Sequence, residues 1–156
     1  MKKYIIAEIT CVILTFSFII YTVTTTTGTT EKTAVEICQD LVADMSTDDL
    51  TERNVNFINE KYSVSSSVFS SVMCLSSDDV MNVKEIFVGV FNEEADSETI
   101  SAFESYAEDR FNLYNGYAPE QSALIDNYIL EVSSGTLFFC IDDNAQAIYS
   151  EFLKNV

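Results

Sequence analysis

The stretch that decides the fold is Asn127-Tyr128-Ile129-Leu130-Glu131-Val132, then Ser133-Ser134-Gly135, then Thr136-Leu137-Phe138-Phe139-Cys140-Ile141. Two runs rich in β-branched and aromatic residues flank a short Ser/Gly break, which is the signature of a β-hairpin. The second run is apolar at successive positions. It is thus apolar on both faces, as for a central strand. Asp142-Asp143-Asn144 comes next and is read as the cap of a final helix to about Lys154, with Ala145, Ala147, Ile148, Phe152 and Leu153 apolar.

Working back along the chain, Pro119 suits the first turn of a short helix over 119–126. Before it, Ile100, Phe103, Ala107, Phe111 and Tyr114 mark one face of a long helix over 97–114. Asn115-Gly116 ends that helix in a left-handed stop. Val83 to Phe91 reads as a strand, paired with another near 66–75 in a serine-rich background, with a turn at Ser76-Ser77-Asp78-Asp79. Further upstream, Ala34, Val35, Ile37, Cys38, Leu41, Val42 and Met45 recur at helical steps over 32–45. Thr47-Asp48-Asp49 looks like the cap of a second helix running to about Glu60. The expected order is therefore α-α-β-β-α-α-β-β-α. It describes an α+β domain with a four-stranded antiparallel sheet packed by helices on one face. The units 66–114 and 127–154 are both β-β-α, a pseudo-repeat in pattern without sequence identity.

The N-terminal end has another texture. Lys2 and Lys3 precede a nearly unbroken apolar run from Tyr4 to Val23, followed by the threonine-rich stretch 24–31. About 20 residues at about 1.5 Å each match the hydrocarbon thickness of a bilayer. The leading lysines orient such a segment with its N-terminus inside. The expectation is a cytoplasmic tail of residues 1–3, a single-pass membrane anchor over 4–23, a linker over 24–31 and an extracytoplasmic domain over 32–156. A cleaved signal would call for a shorter apolar region and an Ala-x-Ala-like site. A lipoprotein would need a small apolar lead-in to Cys11, which instead follows Glu8, Ile9 and Thr10. Glu8 is read as reaching back to the inner interface, or else as an intramembrane proton or partner site.

Charge narrows the functional classes. Without Lys2, Lys3 and Glu8, the part beyond residue 30 holds 6 basic and 24 acidic residues, a formal charge of −18. Such a domain is repelled by nucleic acid and anionic polymers. The chain has no histidine, which removes Ser-His-Asp and Cys-His catalysis and His-ligated zinc. Cys38, Cys74 and Cys140 are widely spaced among apolar neighbours and read as small buried hydrophobes; one bridge plus a free thiol is the alternative.

Val83-Lys84-Glu85-Ile86-Phe87-Val88, the helix ending at Tyr114, the run Tyr117-Ala118-Pro119-Glu120, and the hairpin with Gly135 before Phe138 and Phe139 together resemble a known family. It is a family of small extracytoplasmic domains of Gram-positive anaerobes, known only as a domain of unknown function. The resemblance covers nearly all of 32–156. It implies a lipoprotein signal or membrane anchor followed by one outer domain, and it carries no activity or ligand. The missing lipidation box sets this chain apart from lipoprotein members.

Paired acids at Asp48-Asp49, Asp78-Asp79, Glu93-Glu94, Glu108-Asp109 and Asp142-Asp143 could in principle serve hydrolysis or calcium. Neighbours in sequence do not face each other, however, and no calcium-loop pattern exists. Helix capping and solvation explain them. The serines between Ser63 and Ser71 have no accompanying base. The best binding-site candidates are Tyr114, Tyr117 and Glu120 around the Gly116–Pro119 turn, since tyrosine is an amphipathic anchor. No catalytic residue, metal ligand or cofactor is assigned. The expected function is a non-enzymatic module that binds an envelope protein or ligand at the cell membrane. The alternative is an accessory hydrolase or wall-modifying enzyme whose carboxylates only the fold brings together.

Overall fold

In the computed structural model, which describes residues 32–43 and 49–156, the hairpin forms, with its first strand starting two residues later than read and taking in Ser133. Strand Ile129–Ser133 returns through a two-residue turn into Thr136–Ile141. Ser134 and Gly135 both take positive φ, 50° and 76°, as this tight turn requires. The elements in chain order are α1 (Ala34–Val42), β1 (Leu50–Glu52), α2 (Val55–Tyr62), a 3-10 turn (Ser66–Val68), β2 (Phe69–Ser77), β3 (Glu85–Phe91), α3 (Ser97–Tyr114), α4 (Pro119–Asp126), β4 (Ile129–Ser133), β5 (Thr136–Ile141) and α5 (Ala145–Asn155). The helix over 97–114 and the helix over 119–126 have the boundaries expected of them. Gly116 takes φ +97° just after α3.

The sheet has five strands, all antiparallel, in the order β1-β2-β3-β5-β4. This corrects the four-stranded expectation. The added strand is β1, where a helix start was expected. It pairs Leu50, Thr51 and Glu52 with Ser77, Ser76 and Leu75. The next helix begins only at Val55, capped by the Asn54 side chain, which accepts from the Phe57 amide at 3.0 Å. Thr47 and Asp48, offered as its cap, lie outside the described residues.

A second correction concerns the layers. Helices cover both faces of the sheet, because β3 and β5 are apolar on both faces. On one face, Phe87, Leu137, Phe139 and Ile141 pack with Ile58 and Tyr62 of α2, Phe103 and Ala107 of α3, and Ile125 of α4. On the other, Ile86, Val88, Phe138 and Cys140 pack with Ala34, Ile37 and Leu41 of α1 and with Ile148 and Phe152 of α5. A register shift between Phe69 and Ser71 puts Phe69 on the same face as Cys74 and Phe87. α1 is held by a capping box between Thr33 and Glu36, and its Ala34 amide donates to Ser71 Oγ of β2 at 2.9 Å. Lys32 Nζ, just before α1, reaches Asn155 Oδ1 at the end of α5.

The anchor over 4–23 and the linker over 24–31 lie outside the described residues. Among the described residues no helix is long and apolar enough to cross a membrane. The fold class of the described residues is corrected accordingly to an α+β domain with a five-stranded antiparallel sheet and no spanning helix. The cap expected at Asp142-Asp143-Asn144 is also different. Asn144 occupies the cap position without a side-chain capping bond. Asp142 accepts from the Asn144 amide at 2.8 Å, and Lys84 lies 3.6 Å from Asp142 and 2.6 Å from Asp143.

Candidate functional site

Four places combine polar chemistry with defined geometry. The first lies in the core. Glu85 opens β3 facing the α2–α3 layer and is fully buried. Lys61 of α2 pairs with its Oε2, and the buried Tyr62 hydroxyl donates to the same oxygen at 3.1 Å. Tyr62 also contacts Cys74 Sγ at 3.4 Å. The Lys61 ammonium rests among the rings of Phe57, Tyr62 and Tyr106, 5.1 to 5.5 Å from their centroids. Burial, reinforced by the Glu85 charge, raises the Tyr62 and Tyr106 hydroxyls well above the ordinary tyrosine range. Burial pushes the Cys74 thiol up to about 11 and raises Cys38 and Cys140 as well. All three of these cysteines are free and buried. The cluster has the residue types of a reaction centre, but its carboxylate and the Tyr62 hydroxyl are closed off: Glu85 and Tyr62 are buried, while Lys61, with a side chain 17 % exposed, and the rings of Phe57 and Tyr106 are partly exposed. Its chemistry is that of a buried, charge-assisted brace between α2 and the sheet.

The second place holds two of the three expected site residues, Tyr114 and Tyr117. Tyr114, at the end of α3, is buried. Its hydroxyl donates to the Val80 carbonyl in the β2–β3 loop, and Arg110 lies 5.0 Å over its ring. Tyr117 stacks on Tyr114 with centroids 5.6 Å apart but stays 58 % exposed. Val80 is 82 % exposed, Met81 50 % and Leu113 60 %. Tyr114 is thus the post between a loop that presents Val80 and Met81 and a turn that presents Tyr117.

Glu120 belongs to the third place. It lines an open cleft of about 660 Å³ with Lys84, Gln121, Asn127, Asp142 and Asp143. Tyr114 and Tyr117 do not border that cleft. The two aspartates there hold Lys84, whose pKa is raised chiefly by its bond to Asp143. Sequence reading did not find this grouping, because Lys84 and Asp142 meet only through the pairing of β3 with β5, which sets Glu85 against Ile141. Nor did it find Glu85, whose burial follows from that same central position.

The fourth place is the side of β4 that faces away from β5. A cleft of about 490 Å³ runs there, bordered by Glu104 of α3, Tyr128 to Glu131, and Gln146 and Tyr149 of α5. Burial and the nearby Glu104 raise the Tyr128 hydroxyl. Among the described residues no group of histidine, cysteine, aspartate and glutamate is placed to hold a metal ion.

The described residues thus form a small α+β domain with a closed polar core, several open surface clefts and an exposed apolar group. The family model described as "Domain of unknown function (DUF4358)" matches residues 43–142, and the chain belongs to that family. The matched part is narrower than the resemblance expected. It spans β1 through β5 and omits α1 and α5. No curated protein and no solved structure matches the chain.

Proposed function

We propose that this chain is a non-enzymatic interaction domain working on the outer side of a cell membrane, where it binds another envelope protein. The observation that carries the reading is the grouping of Val80, Met81 and Tyr117 around the buried Tyr114. Large apolar side chains exposed singly need no explanation, whereas a group of them on an ordered support marks a contact surface. The aromatic member is of the kind that anchors interfaces. The location rests on the Lys2-Lys3 start and the apolar run after it, which favour export of the remaining chain. The hydrolase alternative is less well supported. Carboxylates gather in the Glu120 cleft, where Lys84 already bridges Asp142 and Asp143, and in a second cleft lined by Asp49, Asp78 and Asp79, where Arg53 and Thr51 hold Asp78.

The test is site-specific photocrosslinking in intact cells with the full-length chain. Crosslinkers at positions 81 and 117 are expected to trap the same discrete protein, and one at Glu108, on the exposed flank of α3, is expected not to. Met81→Asp should remove the product from position 117. Labelling that is equal from all three positions, or absent from 81 and 117, overturns the assignment.

A further inference from the structure

β4 is the last strand of the sheet, and among the described residues it pairs only with β5. The pattern of that pairing fixes which of its backbone groups point outward. Ser133 faces Thr136 across the two-residue turn, so these two form a hydrogen-bonded pair, and the alternation of an antiparallel ladder extends this to Glu131 with Phe138 and Ile129 with Cys140. The other side of β5 agrees. The Phe91 amide of β3 donates to the Gly135 carbonyl at 2.9 Å, which assigns the odd-numbered residues of β5 to β3 and the even-numbered ones to β4. The N–H and C=O groups of Leu130 and Val132 therefore point away from the sheet.

Leu130 borders the cleft between α3 and α5, and Val132 lies two residues further along the same strand, beyond it. Leu130 and Val132 lie opposite Phe139 and Leu137, so their side chains share the α3 face, where both pack partly against the core. Glu131 lies opposite Phe138 on the α5 face and is exposed. The lining residues include two carboxylates, Glu104 and Glu131, and no lysine or arginine.

We infer that this edge is a docking site for an extended segment of another protein, in which basic and apolar residues alternate, added to β4 as a sixth strand. Backbone pairing would come from Leu130 and Val132, and specificity from side chains on alternate faces. Residues of the incoming strand on the α3 face meet Leu130 and Val132 and are apolar. Those on the α5 face meet Glu131 and are lysine or arginine, in keeping with the −17 formal charge of the chain. A second copy of this chain is the wrong occupant. Two-fold pairing that uses both outward residues sets Leu130 against Val132 of the other copy, and Glu131 directly opposite itself. This site is separate from the Val80–Tyr117 surface and does not depend on it.

The test uses full-length, isotope-labelled protein in non-ionic detergent. It is titrated with a short blocked peptide alternating valine and lysine, and in a second arm with its valine–glutamate counterpart. The lysine peptide is expected to bind saturably, more weakly as salt rises, and to slow hydrogen exchange at the Leu130 and Val132 amides. Val132→Pro removes an outward N–H without touching the β5 ladder and should weaken binding by about tenfold or more. Glu131→Gln should also weaken it and flatten the salt dependence. The inference is overturned if the lysine peptide does not bind, or if the glutamate peptide binds equally well. It also fails if the spectral changes fall at Val80, Met81 and Tyr117 instead. Protection of the Leu130 and Val132 amides before any peptide is added would show the edge already filled, by a second copy or by residues 24–31, and overturns it too.

Discussion

Glu85 shows how much one buried carboxylate can constrain. Its partner Lys61 can reach water, whereas Glu85 cannot. Removing the lysine therefore strands a charge, and removing the glutamate does not. Lys61→Met is expected to destabilise the domain by about 3–5 kcal/mol. Glu85→Leu should cost less, and the double variant should recover much of the loss of Lys61→Met; urea unfolding of the three proteins checks the ordering. Gly89 carries a steric constraint instead. A Cβ there would sit 2.7 Å from Phe69 Cε1 and 2.9 Å from Phe87 Cε1. Gly89→Ala is expected to cost about 1–3 kcal/mol by overpacking, and Phe69→Leu in the same chain should return part of it. Neither constraint was legible in the sequence. Glu85 stood there as one acid among 25, and the space at Gly89 is taken by a ring from the neighbouring strand.

Long elements were legible because their periodicity runs over several turns. α3 and α4 matched to the residue, and the β4–β5 hairpin was set by its turn. β1 was not, since three residues are too few to show a period. It is a strand only because β2 offers it an edge and Arg53 fastens it there, with Nε donating to Ser76 Oγ at 2.8 Å and Nη2 donating to the Ser77 carbonyl at 2.8 Å. The α3 start has a pH signature. Asp96 accepts from the Thr99 hydroxyl at 2.7 Å and from the amides of Glu98 and Thr99, which holds its pKa below the ordinary value. Asp78, bonded to Thr51 and Arg53, is lowered likewise. A group depressed in the folded state stabilises it above the unfolded pKa, about 3.9, and loses that contribution as pH falls through the folded value. Thermal unfolding from pH 6 downward should therefore show stability falling below about pH 4, and less steeply in Asp96→Asn.

At the scale of the molecule, the class was legible and the layering was not. An alternating pattern tells which residues are buried, but a strand that is apolar throughout, such as β5, signals cover on both sides only once its neighbours are known. Of the Tyr114–Tyr117–Glu120 grouping, the two tyrosines stay stacked, while α4 begins between Tyr117 and Glu120 and places the glutamate on the cleft that Lys84 also lines. The family match stops short of α1 and α5, which together cover the second face. The part of the fold that defines the family is therefore the sheet and its α2–α4 layer. No disulfide joins Cys38, Cys74 or Cys140. Unfolding midpoints with and without reductant should coincide, and peptide mass mapping should find these thiols alkylated only after denaturation. The contact between Lys32 and Asn155 bears on how the domain could be rewired. The two ends of the segment 32–155 lie within side-chain reach of each other, so a short bridge suffices to join them. A circular permutant that joins residue 155 to residue 32 through a short glycine–serine bridge, and opens at Gly116, should fold with an unchanged circular dichroism spectrum.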